Sequence, residues 1–493
     1  MDAQKAAGIV NILQNLTLNR KSETSPMLIL MADLLIDGAM VITVDPKRRI
    51  ISDGAVVVEN QRIIAVGKSH EIKQKYSADT RIHAKQKILI PGLIDCHVHL
   101  AQALIRGTAD DVDLIPWLRD YVWVLQGNFT PEDGKVSAEL CIAEMLKSGT
   151  TSFLESMIHK RYGMDGIAQV VKNTGIRGCL SKLFMDWTGY ADEESIMYEG
   201  MIEDPDECIS ETISMHSKWE GAADGRVFIW WGARTPGAVS PELYRRVADI
   251  ARKRHMGITM HLGEVKEDVE YTKAQFNQLP AEFAHDVGMM GKNVVLVHGV
   301  WISPKEFPIY VETGTHMCHC PASNAKLASG IALIPEMLKA GINVCLGCDG
   351  GPSNNAYDMF REMFLAAVIH KARTLDPLTM PAETVLEMAT INGARALGLG
   401  REIGSIEVGK KADLVLVDTH QLNIAPTYNP VSNIIYAANG FNVSTTIVNG
   451  QILVHEGKLL TLDEDQVIEE ARSRGEKLLD RAGVKIQSRW QRN

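Results

Sequence analysis

The sequence predicts an α/β fold: a (β/α)8 TIM barrel with a small discontinuous β-sandwich domain formed by the N- and C-terminal segments. Two observations predict it. Between residues 91 and 402, short apolar and β-branched runs alternate with helical patterns, as in a parallel sheet wrapped by helices. On either side lie β-rich segments, 32–90 and 403–460, each too small to bury a core alone, so the two are expected to pair. A chain of 493 residues also exceeds what one core usually covers, which favours a large domain with a satellite.

In chain order, residues 1–31 form an N-terminal extension. Ile9, Ile12, Leu13 and Leu16 have the spacing of a short amphipathic helix, and the composition equally suits an unstructured tail. The charged, apolar and cleavage-site order of a signal peptide is lacking. ADLLIDGAMVITVD and GAVVVENQRIIAVG then read as strands broken at Gly, Asp and Asn. Eight candidate barrel strands follow: LIDCHVH, TTSFLE, GIRGCLSKLF, RVFIWWGA, GITMHLGE, NVVLVHG, THMCHCP and NVCLGCD. Helix starts are marked by Thr130-Pro131 and Ser240-Pro241, each a capping hydroxyl before a proline suited to the first turn. Ser303 and Glu306 have capping-box spacing. GSIEVGKKADLVLVD and TTIVNGQILVHEG complete the satellite, with Asn449-Gly450 as a two-residue hairpin signal. Within 461–493, a helix over about 463–482 carries an apolar stripe at Val467, Ile468, Ala471, Leu478 and Leu479, to be buried on the barrel or on a partner subunit.

Composition narrows the function. Apolar residues make up 45% and charged residues 23%, as in a soluble enzyme. A formal charge of −10 argues against nucleic acid or an anionic membrane as partner. The sequence has no apolar run long enough for a transmembrane helix, and a cytoplasmic location is expected. Eight cysteines in so long a chain do not make a disulfide scaffold. Cys318/Cys320 and Cys345/Cys348 sit in strand-like apolar runs and read as small buried core residues.

In a barrel of this kind, reactive groups sit where strands end. The first candidate strand ends in His97-Val98-His99, and residues two apart on a strand share a face, so both imidazoles can chelate. The fifth carries His261 and, three residues on, Glu264; the sixth ends in His298; the seventh carries His319; the eighth ends in Asp349. One histidine at a strand end is more often a hydrogen-bonded structural residue. Their coincidence over several strand ends points instead to a metal centre. Three His and one Asp, with room for water, are the donor types of a catalytic zinc site rather than a closed structural one.

The runs PGLIDCHVHL, HLGE at 261–264, VHG at 297–299, HCPASNAKLASG at 319–330 and LGCDGGPSNN at 346–355 occur in an order that resembles the amidohydrolase superfamily. Within it, the chain is similar to the aminohydrolases grouped with guanine deaminase, the S-adenosylhomocysteine/methylthioadenosine deaminases and the s-triazine hydrolases. The likeness runs from about Ala32 to Gly457. It implies one Zn2+ per subunit held by His97, His99, His261 and Asp349, with Fe2+ compatible with the same ligands. Strand four ends in GARTP, without a lysine to bridge two ions, which favours a single one.

The resemblance further implies hydrolytic loss of ammonia from a small N-heterocycle of purine, pterin or triazine type. Asp349, assisted by His298, would accept the proton of the attacking water, and Glu264 would protonate the ring nitrogen. Arg106 in LIRG, Trp117 in PWLRD, Arg234 and His319 are the candidate substrate contacts. Arg106 is equally suited to a structural ion pair, Trp117 to filling its own loop, and His319 to strand packing. Arg234 stands where nucleoside deaminases often carry His, and its fixed cation suits a ring bearing a carbonyl or anionic substituent. That points away from plain adenosine-like substrates towards an oxo-purine, a pterin or a hydroxylated triazine. Release of chloride from an s-triazine is the enzymatic alternative. A non-catalytic barrel would be expected to have lost ligands that are all present here. A homodimer or larger homo-oligomer goes with the family.

Overall fold

The structure is a computed structural model that describes residues 29–187, 198–486 and 490. The expected helix at Ile9–Leu16 lies outside them. The chain opens with β1 (Leu30–Ile42), β2 (Ile50–Glu59), β3 (Arg62–Lys68), β4 (Tyr76–His83) and β5 (Lys87–Pro91). There follow β6 (Leu93–His99), β7 (Thr150–Ile158), β8 (Arg177–Phe184), β9 (Val227–Ala233), β10 (Ile258–Leu262), β11 (Val294–His298), β12 (His316–His319), β13 (Val344–Leu346) and β14 (Asp349–Gly350). Last come β15 (Leu414–Asp418), β16 (Val443–Val448), β17 (Gln451–His455) and β18 (Lys458–Leu459).

The fold is mixed α/β. Strands β6 to β13 lie side by side in chain order, and β14 returns to β6, with Asp349 opposite Val98 and Gly350 opposite His99. The parallel sheet is therefore strongly curled. Helices cover its outer face, and β6, β7 and β8 are buried at every residue, as expected of strands covered on both sides. The eighth expected strand, NVCLGCD, is broken into β13 and β14. Its break falls at Gly347, where a Cβ would stand 2.7 Å from His97 Cβ and 2.9 Å from Cys318 Sγ. Only a glycine lets the chain pass that close beneath the first strand.

The two β-rich ends join, as their incompleteness predicts. They do so in one hydrogen-bonded sheet of order β18-β17-β16-β15-β5-β1-β2-β3, with β4 beside β1. Antiparallel pairing of β5 with β15 makes the join, and Leu34, Ile36, Val58, Leu89, Leu414 and Ile447 share one buried cluster. The β16–β17 turn is Asn449-Gly450, with φ of 48° and 76°, the two positive values that a type I′ hairpin demands. One buried ion pair ties this sheet to the parallel one. Arg177 on β8 donates from Nη2 and Nε to Asp413 at 3.0–3.2 Å, and from Nη2 to Asn449 Oδ1 at 2.6 Å.

The expected helix starts are present. Thr130 caps α1 (Pro131–Lys147) in a reciprocal box with Asp133, and Ser240 accepts from Leu243 N at 3.2 Å. Further along come the short α2 (Pro321–Lys326), then α3 (Met359–Thr374) and the C-terminal α4 (Glu464–Ala482). The last buries Val467, Ala471 and Leu478 and packs on α1, with Lys147 paired to Glu464 at 2.6 Å and Arg481 to Asp133 at 2.5 Å. Among the described residues, no helix is long and apolar enough to cross a membrane.

Candidate active site

Five of the expected groups meet at the mouth of the curled sheet. His97 and His99 close β6, His261 lies on β10, His298 ends β11 and Asp349 opens β14. All are buried. Val295 and Val297 pack in the interior cluster, so strict alternation would turn His298 the other way. A φ of 72° at His298 ends that alternation, and Asp349 makes a similar turn at 67°. Gly263, with φ of 63°, then lets the chain turn after His261 and brings Glu264 to the same place.

The spacing of donor atoms fits a single metal ion. Asp349 Oδ1 lies 3.2 Å from His99 Nε2 and 3.4 Å from His97 Nε2, and His261 Nε2 faces His99 Nε2 at 3.3 Å. Metal–ligand bonds of about 2.1 Å at tetrahedral angles put donor atoms about 3.4 Å apart. His97 Nε2 is not aligned for a hydrogen bond and has no such partner among the described residues. Nitrogens of His97, His99 and His261 lie close enough together to hold one metal ion, and so do the donors of His97, His298 and Asp349, two sets that share His97.

The electrostatics agree. Burial pushes His97 down to about 3 and lowers His99 and His261 as well, so the imidazoles are neutral, the form that binds metal. Burial alone would raise the Asp349 carboxyl, but the imidazoles of His97 and His99 outweigh it and hold it well below the usual carboxylate range. Glu264 goes the other way. Burial raises its pKa, against the opposing pull of His298 and Arg234, and its Oε2 lies 3.6 Å from His298 Nε2. One carboxyl is held ionised and the other is poised to carry a proton.

A cavity opens above this cluster. Trp117, Trp123, Leu114, Leu118, Met157 and Leu327 give it apolar walls, and Gln102, Gln126 and Arg234 supply polar groups. The Arg234 guanidinium lies 5.9 Å from the centre of the Trp123 ring. Among the described residues, Arg234 Nε, Trp117 Nε1, Gln102 Oε1 and both amide atoms of Gln126 have no hydrogen-bond partner. Buried polar atoms left in that state are costly unless a ligand or water completes them. Gln102, Gln126 and Trp123 were not singled out from sequence. Gln102 lies three residues beyond His99, and that proximity was the only available signal.

Two expected contacts do not line the cavity. Arg106 is drawn away to Glu144 and lies 5.5 Å from the centre of the Tyr357 ring, the ion-pair role open to it from the start. His319 faces outward. Cys318 before it and Cys320 just after β12 occupy the interior cluster, so alternation sends the imidazole towards α3, where its Nε2 lies 3.2 Å from His370 Nε2. Trp117 lines the cavity and is only 4% exposed within the main core.

Comparison with known proteins gives a consistent picture. The amidohydrolase family model matches residues 88–453. The 5'-deoxyadenosine deaminase of Methanosarcina mazei is 37% identical over 451 residues, covering 92% of this chain and 99% of that protein. The 5-methylthioadenosine/S-adenosylhomocysteine deaminase of Pelotomaculum thermopropionicum is 34% identical over 451 residues, covering 92% of this chain and 100% of that protein. The crystal structure of an adenosine deaminase from Xanthomonas campestris with bound zinc superposes with a TM-score of 0.86 at 31% identity, covering 92% of this chain and 100% of that one.

Proposed function

Since the chain belongs to the amidohydrolase family, we propose that it is a metal-dependent aminohydrolase that replaces an exocyclic amino group of an N-heterocycle with oxygen and releases ammonia. One observation carries this reading. A buried cluster of His and Asp donors that could hold a metal ion stands beside a buried carboxyl with a raised pKa, at the base of a cavity with apolar walls. The ion inferred is zinc, one per subunit, in line with the zinc-bound adenosine deaminase structure; Fe2+ accepts the same ligand types. A divalent ion held by His97, His99, His261 and Asp349 supplies Lewis acidity and makes a water molecule acidic near neutral pH.

The protein's own residues do the rest. Asp349, ionised and with His298 nearby, takes the proton of the attacking water. Glu264 gives its proton to the ring nitrogen next to the attacked carbon, so that negative charge does not accumulate on the ring. The departing amine then needs a proton, which the Asp349 and His298 side can return. Trp117 and Trp123 would flank the ring, and Gln102, Gln126 and Arg234 would read its edge. Arg106 and His319 drop out of this substrate set.

Two observations bear on the substrate. The relatives' names point to adenosine derivatives. Arg234, buried with its Nε unpartnered, supports a ring bearing a carbonyl, as in an oxo-purine or a pterin. An ammonia-release screen over adenosine, 5'-deoxyadenosine, methylthioadenosine, guanine-type purines, pterins and hydroxytriazines tests both. A preference for adenosine derivatives sinks the Arg234 argument and leaves the deaminase standing; no ammonia from any ring sinks the deaminase. With this reading go a closed (β/α)8 barrel over 91–402, a sandwich from 32–90 and 403–460, a homo-oligomeric assembly and a cytoplasmic location.

A further inference from the structure

Two neighbouring side chains that the reaction scheme has not used touch two of its groups. Both stand on α2, Ser323 fully buried and Asn324 2% exposed. Ser323 Oγ–H donates to Asp349 Oδ2 at 2.5 Å, on the side away from His97 and His99, which face Oδ1. His298 Nδ1 lies 3.0 Å from Asn324 Oδ1, so the imidazole donates from Nδ1 and leaves Nε2 turned towards Glu264. Successive residues of a helix point about 100° apart, which lets two adjacent positions reach two different strands, β11 and β14.

α2 is itself anchored. Ala322 N donates to Glu362 Oε2 at 3.2 Å, and Asn354 Nδ2 donates both to Glu362 Oε1 and to the Cys348 carbonyl, each at 2.8 Å. One buried carboxyl group on α3 therefore holds the start of α2 and the residue just before Asp349 in register with each other.

We propose that Ser323 and Asn324 are positioning residues for the deamination, resting on the functional reading above. Asn324 fixes the orientation and tautomer of His298, so that Nε2 is presented to the reacting water. Ser323 occupies one oxygen of Asp349, so that only the other is offered to the ion and to the water's proton. Neither side chain touches the substrate; each acts through the residue it holds.

The test uses the full-length zinc-loaded protein and four variants. Asn324→Leu removes the acceptor at similar size, and Asn324→Asp keeps it; Ser323→Ala removes the hydroxyl, and Ser323→Thr keeps it. The expectation is a fall in kcat of about 10- to 100-fold for Asn324→Leu and Ser323→Ala. KM should stay within about threefold, the pattern of an interaction that matters to the reacting state only. Zinc content and Tm should hold, and Asn324→Asp and Ser323→Thr should recover most of the rate. A second readout does not depend on activity. In [15N]histidine spectra, His298, assigned by its loss in His298→Gln, should show a protonated Nδ1 in the wild type and lose that fixed pattern in Asn324→Leu. An unchanged kcat, or rate, zinc and Tm falling together even in the conservative variants, overturns the proposal. So does a His298 spectrum indifferent to Asn324. Failure of the wild type to release ammonia would sink the deaminase reading instead, and the histidine spectra would still decide this one.

Discussion

Replacing Glu264 by Gln removes one proton from the site and little else. The side chain keeps its length and shape, it is 6% exposed, and it is not among the four metal ligands. Its Oε2 lies 3.6 Å from His298 Nε2. Loss of a positioned general acid costs about 10²- to 10⁴-fold in rate, or about 3–5 kcal/mol in the barrier. Ground-state binding loses at most one neutral hydrogen bond, about 1 kcal/mol, so KM should move by no more than about fivefold. The pH dependence has a definite sign. Burial raises the Glu264 pKa, so its acid form persists to higher pH than that of an exposed glutamate. Wild-type kcat/KM should then fall as pH rises through that raised value, and E264Q should lack this limb. A raised folded-state pKa also means that the group's stabilising contribution is complete below the ordinary glutamate pKa and is lost on the way up to the raised one. E264Q should therefore lose less stability than the wild type as pH rises from the ordinary glutamate pKa through the raised one. Steady-state ammonia release across pH, with metal content measured on the same samples, is the assay. A variant that keeps more than about a third of wild-type kcat would refute the general-acid assignment.

Other substitutions separate the parts of the account. Arg177→Met leaves the Asp413 carboxylate buried without its cation and should cost about 3–5 kcal/mol in urea unfolding; Arg177→Met/Asp413→Leu should recover much of that. No recovery would mean that the lost contacts to Asn449 and Gly225, not the stranded charge, dominate. Arg234→Ala should raise KM for an oxo-substituted ring about tenfold or more, the worth of a charged hydrogen bond, and leave metal content alone. An unchanged KM across the screen would remove Arg234 from the substrate set. Arg106→Ala should leave KM unaltered, because the guanidinium faces Glu144, and any stability loss from this partly exposed pair should stay below about 1 kcal/mol.

Much of the site could be read from sequence because strands enforce a periodicity. Histidines at the ends of apolar runs, and an HxH pair in particular, have few places to go in a parallel sheet, and His97, His99, His261, His298 and Asp349 all reached one mouth. Their directions were less legible. His298 and Asp349 reach the centre through positive φ angles, which no spacing rule signals at a His or an Asp. His319 turns outward because Cys318 and Cys320 lie in the core and period-two alternation sends the residue between them the other way. Arg106 was ambiguous because a long cation takes whichever carboxylate folds beside it, and Glu144 lies on α1, 38 positions away. Gln102 and Gln126 escaped notice because a single amide has no diagnostic spacing. At the scale of the fold, Asn449-Gly450 announced its hairpin, whereas the tie between Arg177 and Asp413 joins residues 236 positions apart and leaves no local trace.

The claim on which the others depend is that His97, His99, His261 and Asp349 share one ion and that hydrolysis requires it. Metal analysis paired with ammonia release, before and after chelation, tests it most directly. One divalent ion per chain is expected, with loss of activity as the ion is stripped, recovery when zinc is returned, and neither ion nor activity in His97→Ala. Full ammonia release from metal-free protein, or a His97→Ala variant that keeps both its ion and its rate, would contradict it.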